Sequence, residues 1–282
     1  MKPLSLSLSL AIQSCKRIVN KEYSKAFNAQ DIAKQIFGIK LPFVLEEKAE
    51  LSYGAPFGSV NAILGEYYWQ KDIERIYCRR IRTFCEKYEL DYNSVIQFCL
   101  CHETGHAKEQ RLFEEIDFFP NTITWRYHPF ISGICDYSVN KELLKNDIKN
   151  PFERKAFLDK ETLRTVFVNT KEAKDNFHFN SLLNLPYNID AYEHGGLSDD
   201  EKIGFKESQE KEIGDKWEKA LSKLRSIDFF EPKSKLDIIL DLYNEILEIP
   251  VPLCKVKTEI LRLKFQTIPK FWRKSTYNVI FL

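Results

Sequence analysis

Methionine occurs once, histidine five times and glycine ten times in this chain of 282 residues. No run approaches the roughly eighteen consecutive apolar residues of a membrane-spanning helix, so no transmembrane segment is expected. Neither sign of charge is in excess: 42 Lys and Arg stand against 41 Asp and Glu, a formal net charge of +1. A balance this even argues against general binding to nucleic acid or to a membrane surface. Seven cysteines, at 15, 78, 85, 99, 101, 135 and 254, form no CxxC pair. An odd, scattered set of this kind reads as buried, reduced thiols, and the expected compartment is the cytoplasm. The start of the chain, Met1 to Ile12, has only a faint signal-peptide look, and export is not the expectation. Leu4 to Leu10 alternate with serine, as in a half-buried strand, and Gln13-Ser14 before Cys15 make a poor cleavage site.

What remains is ordinary for a folded protein, with 44% apolar and 29% charged residues. The length allows one large domain or two small ones. Against this background residues 102 to 106, His-Glu-Thr-Gly-His, stand out. With so few histidines, an HExxH word arises by chance in about one chain per hundred. Val95 to Cys101 is almost wholly apolar and leads into it, and Asp91, Asn93 and Ser94 are residue types that cap a helix start. On a helix His102 and His106 share a face, so their imidazoles can grip one metal ion, with Glu103 beside a metal-bound water. Gly105 costs such a helix about 1 kcal/mol relative to alanine, which calls for a close approach by a neighbouring backbone or a substrate.

Around the motif, residues 28–37 fit a short helix ended by Gly38, and 41–58 read as loop and strand. Residues 73–88 fit helical spacing, or a short edge strand at Arg75 to Cys78 followed by a helix from about Arg79. Phe118-Phe119-Pro120 breaks the helix after the motif, and Trp125 to Pro129 forms an aromatic loop. A second apolar-periodic helix spans Phe130 to Leu144, after which the chain is polar and interrupted as far as Gly196. Ser198 to Glu201 is a capping box opening a long helix through Ile203, Ile213, Trp217, Leu221 and Leu224. Another helix runs from Lys235 to Leu247. Lys255 to Lys274 carries seven basic residues against one Glu, read as a solvated face of a docked terminal element rather than a nucleic-acid surface. Three parts are expected: 1–110 ending in the HExxH helix, a mostly helical 111–250, and a basic segment 251–282.

A catalytic zinc takes three protein ligands and keeps its fourth position for water. Asp136 and Asn140 share one face of the second helix. Asp136 can bind the metal while Asn140 holds the outer nitrogen of a ligand histidine and so fixes its tautomer. His128, Glu142, Glu114 and Glu115 compete for the third position, and Cys99 would add a ligand only in a closed, structural site.

The stretches Val95 to His106 and Ile134 to Asn140 resemble the gluzincin-like branch of the zincin metallopeptidases, in which a helix with an acidic third ligand follows HExxH. The resemblance covers about a third of the chain. It implies an α+β, zincin-like fold: a small mixed sheet packed on the active-site helix, its edge strand beside an extended substrate, with a mostly helical C-terminal half. It also implies zinc, one per chain, on His102, His106 and Asp136, with Glu103 as general base. The third-ligand helix of these enzymes carries Glu then Asp, whereas this chain has Asp136 then Asn140. The expected activity is peptide-bond hydrolysis of a peptide or protein substrate. Tyr187, Tyr192, His178 and His194 are available to stabilise the oxyanion. The contrasting expectation is a non-catalytic metal-binding regulatory or interaction protein that retains the HExxH site.

Overall fold

The computed structural model describes residues 26, 28–47, 64–68, 71–116, 128–151 and 177–248. A helix over residues 28–37 (α1) is followed by strands β1 (Phe43–Glu46), β2 (Gly65–Tyr68) and β3 (Ile73–Tyr77). Seven further helices complete the described chain: α2 (Cys78–Tyr88), α3 (Tyr92–Glu115), α4 (His128–Lys145), α5 (Phe177–His194), α6 (Asp199–Ile213), α7 (Lys216–Ser226) and α8 (Pro232–Leu247). The protein is therefore α+β, mostly helical, with a small mixed sheet. The expected Leu4–Leu10 strand, the Trp125–Tyr127 part of the aromatic loop and the basic segment 255–274 lie outside the described residues. No described helix is long and apolar enough to cross a membrane.

The three strands lie in the order β1-β3-β2, with β1 parallel and β2 antiparallel to β3. This corrects the expected edge strand at Arg75 to Cys78. The strand is Ile73–Tyr77 and lies between the other two, because Leu45 and Gly65 flank Ile76 in register on its two sides. Among the described strands the outer position beside α3 belongs to β2. Tyr77 donates to Glu66 Oε1 at 2.8 Å, tying β2 to β3 through side chains as well.

Residues 28–37 end as expected at Gly38, whose φ of +73° suits a residue without a Cβ. Two expectations for the second half are corrected. The helix opened by Ser198 stops at Gly214 (φ +63°), so Trp217, Leu221 and Leu224 belong to a separate helix, α7. The stretch expected to be irregular contains α5, an 18-residue helix with Pro186 inside it. Proline removes one backbone donor and discourages a helical reading, yet packing of α5 along α4 overrides that local preference.

Two apolar clusters meet on α3. Its N-terminal half, Val95 to Cys101, packs with α1, α2, Ile76 of the sheet, and Val139 and Leu143 of α4. Phe113 near its other end joins Phe130 to Tyr137 of α4 with α5, α7 and α8. Large side chains at most 1% exposed, such as Trp217, Tyr137 and Phe113, each stabilise the fold by about 1.5–3 kcal/mol through burial. α3 runs unbroken through residue 110, where the first and second expected parts were divided.

Candidate metal centre

Asp91 caps α3 by accepting from the Ser94 backbone N–H at 2.8 Å and from its hydroxyl at 2.7 Å. From Val95 to Ala107 every residue except Gln97 is buried. A helix apolar on all sides lies inside a protein rather than on it, and α3 accordingly contacts the sheet, α2, α4 and α8. Gly105 is required by that packing. A Cβ there would stand 2.6 Å from Val139 Cγ1 and 3.0 Å from Phe37 Cζ, so the close neighbours are side chains of α4 and α1.

With α4 pressed this closely on α3, Asp136 reaches the two histidines. His106 Nε2 lies 2.8 Å from Asp136 Oδ1, His102 Nε2 lies 3.5 Å from the same oxygen, and the two Nε2 atoms are 2.8 Å apart. Tetrahedral zinc with bonds of about 2.0–2.1 Å would separate its ligand atoms by about 3.3 Å, a value the three separations bracket. These residues form a triad whose ligand atoms all lie within 4.8 Å of one another.

Hydrogen bonding behind the ligands decides what they present. Asn140 Nδ2 donates to Asp190 Oδ2 at 2.8 Å, and a carboxylate only accepts, so the amide oxygen must face the other way. That oxygen sits 2.8 Å from His102 Nδ1, which places a proton on Nδ1 and leaves the Nε2 lone pair pointing inward. Asp190 is held in turn by His194 Nδ1 at 2.6 Å. On the other side, His106 Nδ1 faces Glu109 Oε2 at 3.5 Å, and Lys235 Nζ of α8 donates to Glu109 Oε1 at 2.8 Å. Two imidazole lone pairs and a carboxylate oxygen thus converge on one point, an arrangement that demands positive charge between them. Chemically the donor set fits zinc.

Electrostatics agree with the geometry. Burial alone would push Asp136 up, but the adjoining His102 and His106 imidazoles outweigh it and hold the carboxyl below its usual range. Burial depresses the His106 imidazolium, yet the bonds to Asp136 and Glu109 raise it to about 10, so in the metal-free protein a proton supplies the positive charge. Glu103 is driven well above an ordinary glutamate, chiefly by burial, with Glu74 and Asp136 adding to the rise. Neither of its oxygens makes a hydrogen bond of normal geometry, although the Tyr67 backbone on β2 lies close enough to favour the charged form. Exposure is 2% for His102, 0% for Glu103 and His106, and 4% for Asp136, so the site has almost no water around it.

The other expected participants fall differently. Glu142 pairs with Lys145 at 2.9 Å and Glu114 with Gln110 at 2.9 Å, and neither joins the triad. Cys99 is fully buried within the apolar cluster. His128 lies in the first turn of α4 and His178 in that of α5, with side chains outside those described. Tyr187, Tyr192 and His194 are on α5 rather than on irregular chain. The Tyr187 ring packs on Gly133, and its hydroxyl faces Ser132 and Asp136. Glu109, Asp190 and Lys235 escape sequence reading. Only Glu109 had a local signal, being three residues beyond His106 on the same helical face. Comparison with known protein families, with curated proteins and with solved structures finds no match to this chain.

Proposed function

We propose that this protein is a zincin-like metallopeptidase in which His102, His106 and Asp136 hold one zinc ion and Glu103 is the general base. The observation that carries this reading is the convergence of three buried acceptor atoms beside a carboxylate with no normal hydrogen bond. Zinc bound there would polarise a substrate carbonyl and lower the pKa of a water molecule to about 7. Glu103 takes the proton of the attacking water and delivers it to the departing amine. The positive charge of a bound ion would favour the ionised form of Glu103, which burial disfavours. Tyr187, whose hydroxyl faces Asp136, is the residue we assign to a developing oxyanion. A peptide or protein substrate follows from the likeness of His102 to His106 and Asp136 to the zincin pattern; β2, an outer strand among the described ones, has all four of its residues buried.

The near-complete burial of the ligands favours a second reading, a closed metal site in a binding or regulatory protein. Metal analysis and peptide hydrolysis separate the two. The wild type should carry about one zinc, lost in His102→Ala and Asp136→Ala. Glu103→Gln should keep its zinc and lose at least about a hundredfold in rate on a mixed peptide panel. Zinc present with no hydrolysis of any peptide would favour the closed site, and no zinc in folded wild type would overturn both readings.

A further inference from the structure

Lys235 and Glu109 are 126 positions apart, yet their ion pair is buried, at 1% and 2% exposure. Lys235 Nζ also lies 4.4 Å from the centre of the Phe229 ring and 5.6 Å from that of Phe113. Burying two charges costs several kcal/mol each before their attraction offsets it, so such a pair is a poor source of stability. Its geometry gives it another use. Lys235 leaves one Glu109 oxygen for His106 Nδ1, and Cys135, next to ligand Asp136, also faces Glu109.

We infer that Glu109 and Lys235 are positioning residues for the metal site, acting as a chain from α8 that fixes the ring and tautomer of His106 and strengthens its Nε2 as a ligand. This rests on the proposed zinc site. Glu109 Oε2 stands 3.5 Å from the otherwise unpartnered His106 Nδ1 and is placed to orient its proton outward, so that the Nε2 lone pair faces the metal side, as Asn140 does for His102 at 2.8 Å. Lys235, donating to Glu109 Oε1 at 2.8 Å, keeps the carboxylate from turning away from His106. Seating of α8 is thereby coupled to metal affinity: when α8 leaves, Glu109 loses its counter-charge and His106 its anchor.

Zinc affinity of the full-length protein, measured by competition with a chromophoric chelator, tests this with four variants. Glu109→Gln, nearly isosteric, should weaken zinc binding about 10–100-fold. Lys235→Met should weaken it in the same sense, Lys235→Arg should restore it, and Lys235→Met added to Glu109→Gln should cause no further loss. Cobalt substitution provides a signature of the site itself: the visible band should shift in Glu109→Gln and in Lys235→Met and stay at its wild-type position in Lys235→Arg. Thermal melts of the metal-free forms separate this from folding, since a merely structural pair would lower Tm while leaving affinity and cobalt band unchanged. If Lys235→Met does not fold, Glu109→Gln alone decides. Wild-type zinc binding matched within twofold by Glu109→Gln would overturn the inference and leave the zinc site standing. No zinc binding by the wild type would overturn both.

Discussion

Glu74 lies on the central strand β3 with its side chain buried, hydrogen-bonded to Thr104 inside the HExxH word. Burial pushes its carboxyl up from 4.5 to about 8, against the opposing effect of the Thr104 bond. An acid raised in this way binds its proton more tightly folded than unfolded. Its contribution is therefore fully present below about pH 4.5 and is lost as pH rises through about 8. In metal-free protein, stability should fall across that window by up to about 1.4 kcal/mol per pH unit from this group. Glu74→Gln stays neutral and its amide oxygen can accept the same Thr104 bond. Denaturant midpoints at pH 5 and pH 8 should then show a flatter slope and a variant more stable than wild type at pH 8. An unchanged slope would mean that Glu74 ionises freely in the folded protein. The same scale explains what a single chain could reveal about the site. His102 and His106, like Asp136 and Asn140, pair through local helical spacing that sequence exposes. Asp190 and Lys235 meet their partners across 50 and 126 positions, where no periodicity points.

Among the elements, α3 was legible because its cap, apolar run and motif all agree, whereas α5 was hidden by Pro186 and by a lack of clear apolar period. The segment 73–88 divides at Cys78 because alternation in β3 gives way there to the buried positions Arg80, Ile81, Phe84, Cys85 and Tyr88 of α2. Which strand lies outermost depends on pairing partners, and β3 looked no less like an edge than β2. Helix-to-helix distance is likewise absent from local pattern, though Gly105 hinted at it. Gly105→Ala adds about 1 kcal/mol of helix propensity, but its Cβ would collide with Val139 at 2.6 Å. Overpacking of this kind costs about 1–3 kcal/mol and would move α4, and Asp136 with it, away from the histidines. Gly105→Ala should therefore lower Tm by roughly 2–10 °C and weaken zinc binding. A rise in Tm would show that the α3–α4 contact has slack and that the glycine serves another purpose.

At the scale of the whole molecule, the metal triad stands where the two apolar clusters meet. On α3 the first cluster takes Val95 to Cys101 and Leu112 and the second takes Phe113, with His102 and His106 lying between Cys101 and Leu112. On α4 Tyr137 belongs to one cluster and Val139 to the other, and Asp136 precedes the join. The polar groups in that gap link five elements: α3 with Glu103, α4 with Asp136 and Asn140, α5 with Asp190, α8 with Lys235, and β3 with Glu74. The proposed ion would join the first two of these helices and remove repulsion between the buried acceptors His102, His106 and Asp136. Zinc at a thousand times its Kd should stabilise the native state by about 4 kcal/mol. For a chain of this size that is roughly 8–16 °C in Tm. Both clusters should respond together. Calorimetry should give one zinc-loaded transition, and chelation should lower it and broaden or divide it as the clusters uncouple. Asp136→Ala should melt alike with and without zinc. A full zinc-induced shift retained in that variant would place the ion elsewhere and separate the stability of the molecule from the triad.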